Sequence, residues 1–108
     1  MTGPTETLSP ALPADVEKLA MRMLEYATAR ELKIATAESC TGGLLASLLT
    51  DVEGCGHCFE RGFITYSDDS EAEMLGVSRA ILDHDGAVSR RAAEAMVLGA
   101  IAHRDLLE

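Results

Sequence analysis

Two periods of hydrophobic and polar residues run along this chain and mark out its elements. From Ala14 to Arg30 the apolar residues Val16, Leu19, Ala20, Met23, Leu24 and Ala27 recur at three- and four-residue spacing, which predicts an amphipathic helix with Pro13 and Asp15 suited to its first turn. Leu32 to Ala37 predicts a short buried strand, running into a polar, glycine-rich turn at Glu38-Ser39-Cys40-Thr41-Gly42-Gly43. Leu44 to Thr50 predicts a short helix, Asp51 to Gly56 a loop, and Phe59 to Tyr66 a second strand interrupted by Gly62. Three helical pieces follow: Asp69 to Leu75 closed by Gly76, Arg79 to His84 opened by Ser78 and closed near Gly86, and Arg90 onward opened by Ser89. The last places Ala92, Ala93, Met96, Val97, Ala100 and Ile101 on one face.

Helices alternating with strands imply an α/β domain with at least one parallel pair. Two strands flanked by helices bury little apolar surface, so further strands are expected from a continuation of the chain, another copy of it or a separate partner. Met1 to Pro13 is rich in Thr, Pro and Ser without periodicity and reads as a disordered arm, which leaves residues 14–108 as one domain. With 47% hydrophobic and 4% aromatic content, the core of that domain must be aliphatic. A formal charge of −9 repels a phosphate backbone and argues against nucleic-acid binding, although a small anion could still bind at backbone amides. Neither a signal peptide nor a membrane-length apolar run is visible, so the cytoplasm is the expected compartment and the three cysteines are expected as thiols.

The candidate chemistry lies where the first strand hands over to a helix. Free N–H groups at a helix start favour a phosphate or a developing oxyanion, and a serine there can act as a nucleophile. The plainer alternative is that Ser39 and Thr41 cap the helix while Gly42 and Gly43 shape a tight turn.

The run Thr36 to Gly43, followed by Thr50-Asp51, Gly54, Phe59-Glu60-Arg61-Gly62-Phe63, Thr65-Tyr66-Ser67, Leu75-Gly76-Val77 and Gly86-Ala87-Val88-Ser89, resembles the CinA carboxy-terminal family in order and spacing. The resemblance implies a three-layer α/β/α sandwich and, in active members, hydrolysis of the carboxamide of nicotinamide mononucleotide to the acid with release of ammonia, with no metal or other cofactor. It makes Ser39 the nucleophile and Tyr66 a neighbour of the pocket. It also makes Thr41, Gly42 and Gly43 candidates for backbone contacts to a pyridine-nucleotide ligand. Arg61 is a further candidate, placed to face a ligand phosphate or to pair with a carboxylate.

Two departures from the family pattern stand out. Active relatives carry a lysine in the second motif as the acceptor of the serine proton, and this chain has Glu71 there, a much weaker base. Asp68 and Glu71 have the spacing of a capping box, the structural alternative for that glutamate. The two lysines of the chain offer no replacement: Lys18 lies off the apolar face of its helix, and Lys33 is roughly 20 Å from Ser39 along an extended strand. Relatives also continue past the last helix with further strands, so the expected fold is a CinA-like sandwich without its carboxy-terminal strands. Cys55, His57 and Cys58, with Cys40, have soft-metal chemistry but lack a second ligand pair, and no metal site is expected. Two functions follow: a serine amidohydrolase acting on nicotinamide mononucleotide, or a non-catalytic scaffold or assembly module that works as a homo-oligomer or with a complementing chain.

Overall fold

The computed structural model describes residues 12–51 and 58–106, with side chains described to residue 103. Residues 1–11 of the amino-terminal arm and the Cys55 and His57 positions lie outside the described residues. Seven elements follow in order: α1 (Ala14–Ala29), β1 (Ile34–Ser39), α2 (Leu44–Thr50), β2 (Phe59–Thr65), α3 (Asp68–Leu75), α4 (Arg79–His84) and α5 (Arg90–Leu106). The two strands form a parallel pair in which Ala37 lies beside Phe63 and Ser39 beside Thr65.

Alternation along β1 divides its side chains between two layers. Ile34 joins Ala20, Leu24 and Ala27 of α1, Leu49 of α2 and Cys58 in one apolar cluster. Ala37 joins Phe63 of β2, Leu75 of α3, Leu82 of α4, and Met96 and Ala100 of α5 in the other. The sheet is thereby sandwiched between α1 with α2 on one side and α3, α4 and α5 on the other: the parallel pair is the one the alternating pattern implied, and the three layers are those the family resemblance implied.

Three expectations are corrected. The first strand runs two residues further than its hydrophobic content suggested, because β2 continues the ladder through Glu38 and Ser39, so Ser39 is the last strand residue and not part of the turn. The second strand is not interrupted at Gly62: a Cβ there would lie 2.6 Å from the Thr36 hydroxyl, so the glycine makes room for its neighbour, and the register shift of the ladder falls earlier, between Phe59 and Arg61. Helix α1 begins with Pro13 as its N-cap and has no side-chain cap.

Candidate active site

The Ser39 turn is set by the end of β1 and by three left-handed residues among the next four. Cys40 has φ 72°, Gly42 φ 65° and Gly43 φ 104°, the last being the N-cap of α2. Cys40 is the unusual member, since a side chain disfavours this region. It turns the chain sharply behind Ser39, and its Sγ lies 4.0 Å from the Ser39 hydroxyl.

The amides at the start of α2 are not open to a ligand. The buried Glu38 carboxylate accepts from Leu45 N–H at 2.9 Å, Ala46 N–H at 3.0 Å and the Thr41 hydroxyl at 2.7 Å. Burial opposes ionisation of this carboxyl, but the Thr41 hydroxyl and the Leu45, Ala46 and Gly43 amides outweigh it and hold Glu38 below its ordinary range. Both sequence-based accounts of the helix start are thereby corrected: neither Ser39 nor Thr41 is the cap, and the first-turn amides of α2 already carry an anion. Sequence reasoning missed Glu38. A carboxylate six positions before a helix with glycine at its N-cap was the available signal.

Ser39, Cys40 and Thr41 line a cavity of about 430 Å³ whose opposite wall is Ala87, Val88 and Ser89 with the first half of α5. Gly42 and Gly43 shape the turn without being among its lining residues. The family-like run Gly86 to Ser89 thus finds its place as a cavity wall, a role the sequence did not assign. Ser89 caps α5 by accepting from Ala92 N–H at 3.1 Å, which fixes that wall.

Three other candidates lie elsewhere. Tyr66 is 81% exposed and is not among the lining residues. Arg61 pairs with Glu60 at 3.3 Å, the carboxylate alternative foreseen for it. Glu71 is 0% exposed, and neither carboxylate oxygen has a hydrogen-bond partner among the described residues. The Asp68–Glu71 capping box is corrected: Ser67 is the N-cap, its Oγ accepting from Ser70 N–H at 3.1 Å while Ser70 Oγ accepts from Ser67 N–H at 3.1 Å. With the cap filled by two serines, Glu71 turns inward on α3, the helix packed against β2 and α5. Of the two described cysteines, Cys40 is exposed at the cavity and Cys58 is buried under α1, its Sγ 3.9 Å from Leu24 O.

A parallel strand pair between helical layers, with a serine at a strand end lining a cavity, defines an α/β/α domain with its candidate site at a strand end. The CinA C-terminal domain model matches residues 16–105, and the chain belongs to that family. It is 40% identical over 88 residues to the nicotinamide-nucleotide amidohydrolase PncC of Escherichia coli K12, covering 82% of this chain and 53% of that protein. It is 51% identical over 72 residues to a CinA-like protein of Akkermansia muciniphila, covering 67% of this chain and 17% of the relative. Among solved structures, the competence/damage inducible protein CihA of Agrobacterium tumefaciens superposes with a TM-score of 0.79 at 44% identity, covering 87% of this chain and 57% of that one. A CinA superfamily protein of Escherichia coli gives 0.78 at 34% identity, covering 97% and 62%. The chain therefore spans about half the length of the amidohydrolase relative and a smaller part of the other. No helix among the described residues is long and apolar enough to cross a membrane.

Proposed function

We propose that this chain carries the nucleophile side of an amide-hydrolysing site, with the carboxamide of a pyridine nucleotide such as nicotinamide mononucleotide as substrate. The observation that carries the reading is the placement of Ser39 on the wall of the 430 Å³ cavity, at a strand end followed by a left-handed Cys40. The relative named as a nicotinamide-nucleotide amidohydrolase supports the substrate class.

Ser39 Oγ attacks the carboxamide carbon, and its proton passes to an acceptor and then to the nitrogen as the C–N bond breaks and ammonia leaves. Water then cleaves the acyl-serine to give the acid. The oxyanion needs donors, and with Leu45 and Ala46 engaged by Glu38 the backbone amide of Thr41, a residue of the cavity lining, is the one suited to it. The proton acceptor is not the residue at the family's lysine position, because Glu71 is sealed in the core.

Ammonia release from nicotinamide mononucleotide by the purified chain, followed with a coupled assay, tests the reading. Turnover is expected to fall at least ~10²-fold in Ser39→Ala, the scale of losing a covalent nucleophile. A folded chain that releases no ammonia defeats the catalytic claim. It would favour the second reading, a non-catalytic family scaffold, which the buried and unpartnered Glu71 supports.

A further inference from the structure

Val88 is 86% exposed, yet the segment that carries it is tied at both ends. Gly86 opens that segment with φ 85°. Ser89 closes it, its hydroxyl donating to Gly86 O at 2.8 Å and accepting from Ala92 N–H at 3.1 Å. Asp85, just before the segment, pairs with Arg91, just after it, at 3.3 Å. An apolar side chain is thereby held in solvent on the wall of the Ser39 cavity. One exposed valine needs no explanation by itself, but Leu45 lines the same cavity, is 41% exposed, and is fixed in the first turn of α2 by the bond from its N–H to Glu38 at 2.9 Å.

We propose that Val88 and Leu45 are the specificity-determining residues of this cavity, holding the flat pyridine ring of a nicotinamide nucleotide with its carboxamide on the Ser39 side. The proposal rests on the substrate reading given above, and it names what that site recognises. Three observations carry it. First, the lining is divided: Ser39, Cys40 and Thr41 follow one another on the strand-end wall, whereas Val88 lies across from them and Ala93 and Met96 of α5 extend the apolar part. A ligand that suits such a lining has an apolar body and one polar edge, which an aromatic carboxamide has. Second, the contact surface is already in place. Valine has few side-chain rotamers and its loop is closed by the Ser89 bonds, so covering it with a ring costs little ordering. Third, Met96 brings a thioether to the same lining, and thioethers make favourable contacts with aromatic rings.

The ring does not change as the amide is cleaved, so Val88 and Leu45 bind ground state and transition state alike. Their loss belongs in KM and not in kcat. Val88 and Leu45 are binding residues only, with no part in proton transfer.

Calorimetric titration of nicotinamide mononucleotide into the full chain carrying Ser39→Ala, which prevents turnover, tests the contact. Adding Val88→Ala is expected to weaken binding about tenfold, the lower end of the cost of a missing apolar contact in a pocket. The fold should be unchanged, because the side chain is exposed, and circular dichroism checks this. Val88→Thr, which keeps the shape and exchanges a methyl for a hydroxyl, should weaken binding as well, and Val88→Ile should retain it. Leu45→Ala should weaken it in the same direction, whereas Leu19→Ala, at an exposed apolar position of α1, should leave it unmoved. In the chain with Ser39 intact, Val88→Ala should raise KM and leave kcat within about twofold. A folded Val88→Ala chain that binds as tightly as its parent overturns the proposal, as does Val88→Thr binding like the parent, or a parent that binds no nicotinamide mononucleotide. Turnover with KM unmoved by Val88→Ala removes the ring contact and leaves the amidase reading standing. Binding that Val88→Ala weakens, in a chain that releases no ammonia, keeps the ring contact and removes the amidase reading.

Discussion

At the residue scale, Glu38 shows how one side chain can be structural inside a functional turn. Its carboxylate closes the α2 N-terminus and bonds Thr41, so it fixes the curve that carries Ser39 to the cavity. Charge-assisted hydrogen bonds of this kind contribute about 1.5–3 kcal/mol each to charged groups, less the cost of burial. Because the folded carboxyl is held below its ordinary value of 4.5, its contribution is complete above pH 4.5 and is lost as pH falls through the folded value. Glu38→Gln is therefore expected to lower stability by about 2 kcal/mol at pH 7 and to flatten the acid limb of the stability profile. Urea unfolding followed from pH 7 to pH 3 checks this, and equal acid sensitivity in both proteins would show that other groups govern the acid limb. The role was hidden in the sequence because the carboxylate precedes the helix by six positions and reaches it only by folding back over the left-handed turn. Glu71 was hidden for the opposite reason: its spacing from Asp68 fits a cap, but Ser67, one residue earlier, takes that place with Ser70. Tyr66 follows the last residue of β2 and is largely exposed, which its family position alone did not indicate.

At the element scale, the helices were legible because their caps and apolar spacing agree. Ser78 accepts from Ile81 N–H at 3.2 Å to open α4, and Gly76, with φ 69°, closes α3. What spacing could not give was how closely the helices approach. The predicted apolar face of α5 divides in the structure: Ala92, Met96 and Ala100 are buried, whereas Val97 and Ile101 remain open beside β1. The burial of that inner face depends on Gly99, where an added Cβ would lie 1.9 Å from Leu75 O on α3. A backbone carbonyl cannot swing aside as a side-chain end can, so α3 and α5 would have to separate, pulling Leu75 and Met96 from their shared cluster. Gly99→Ala is expected to cost about 3 kcal/mol or more despite alanine's higher helix propensity. The denaturation midpoint decides it: a midpoint equal to or above that of the parent would show that the contact yields without loss.

At the scale of the whole molecule, the described sheet is small for its flanking layers, so the two apolar clusters on its faces carry most of what holds the layers together. A formal charge of −9 works against that compact state by self-repulsion, which salt screens over about 8 Å at physiological ionic strength. Adding salt at fixed protein concentration is therefore expected to raise the melting temperature, most steeply at low ionic strength where screening changes fastest. Scanning calorimetry from low to physiological salt checks it: a melting temperature that does not move means that ion pairs such as Arg79–Asp69 and Arg91–Asp85 already offset the excess carboxylates, because screening weakens those pairs as it relieves the repulsion.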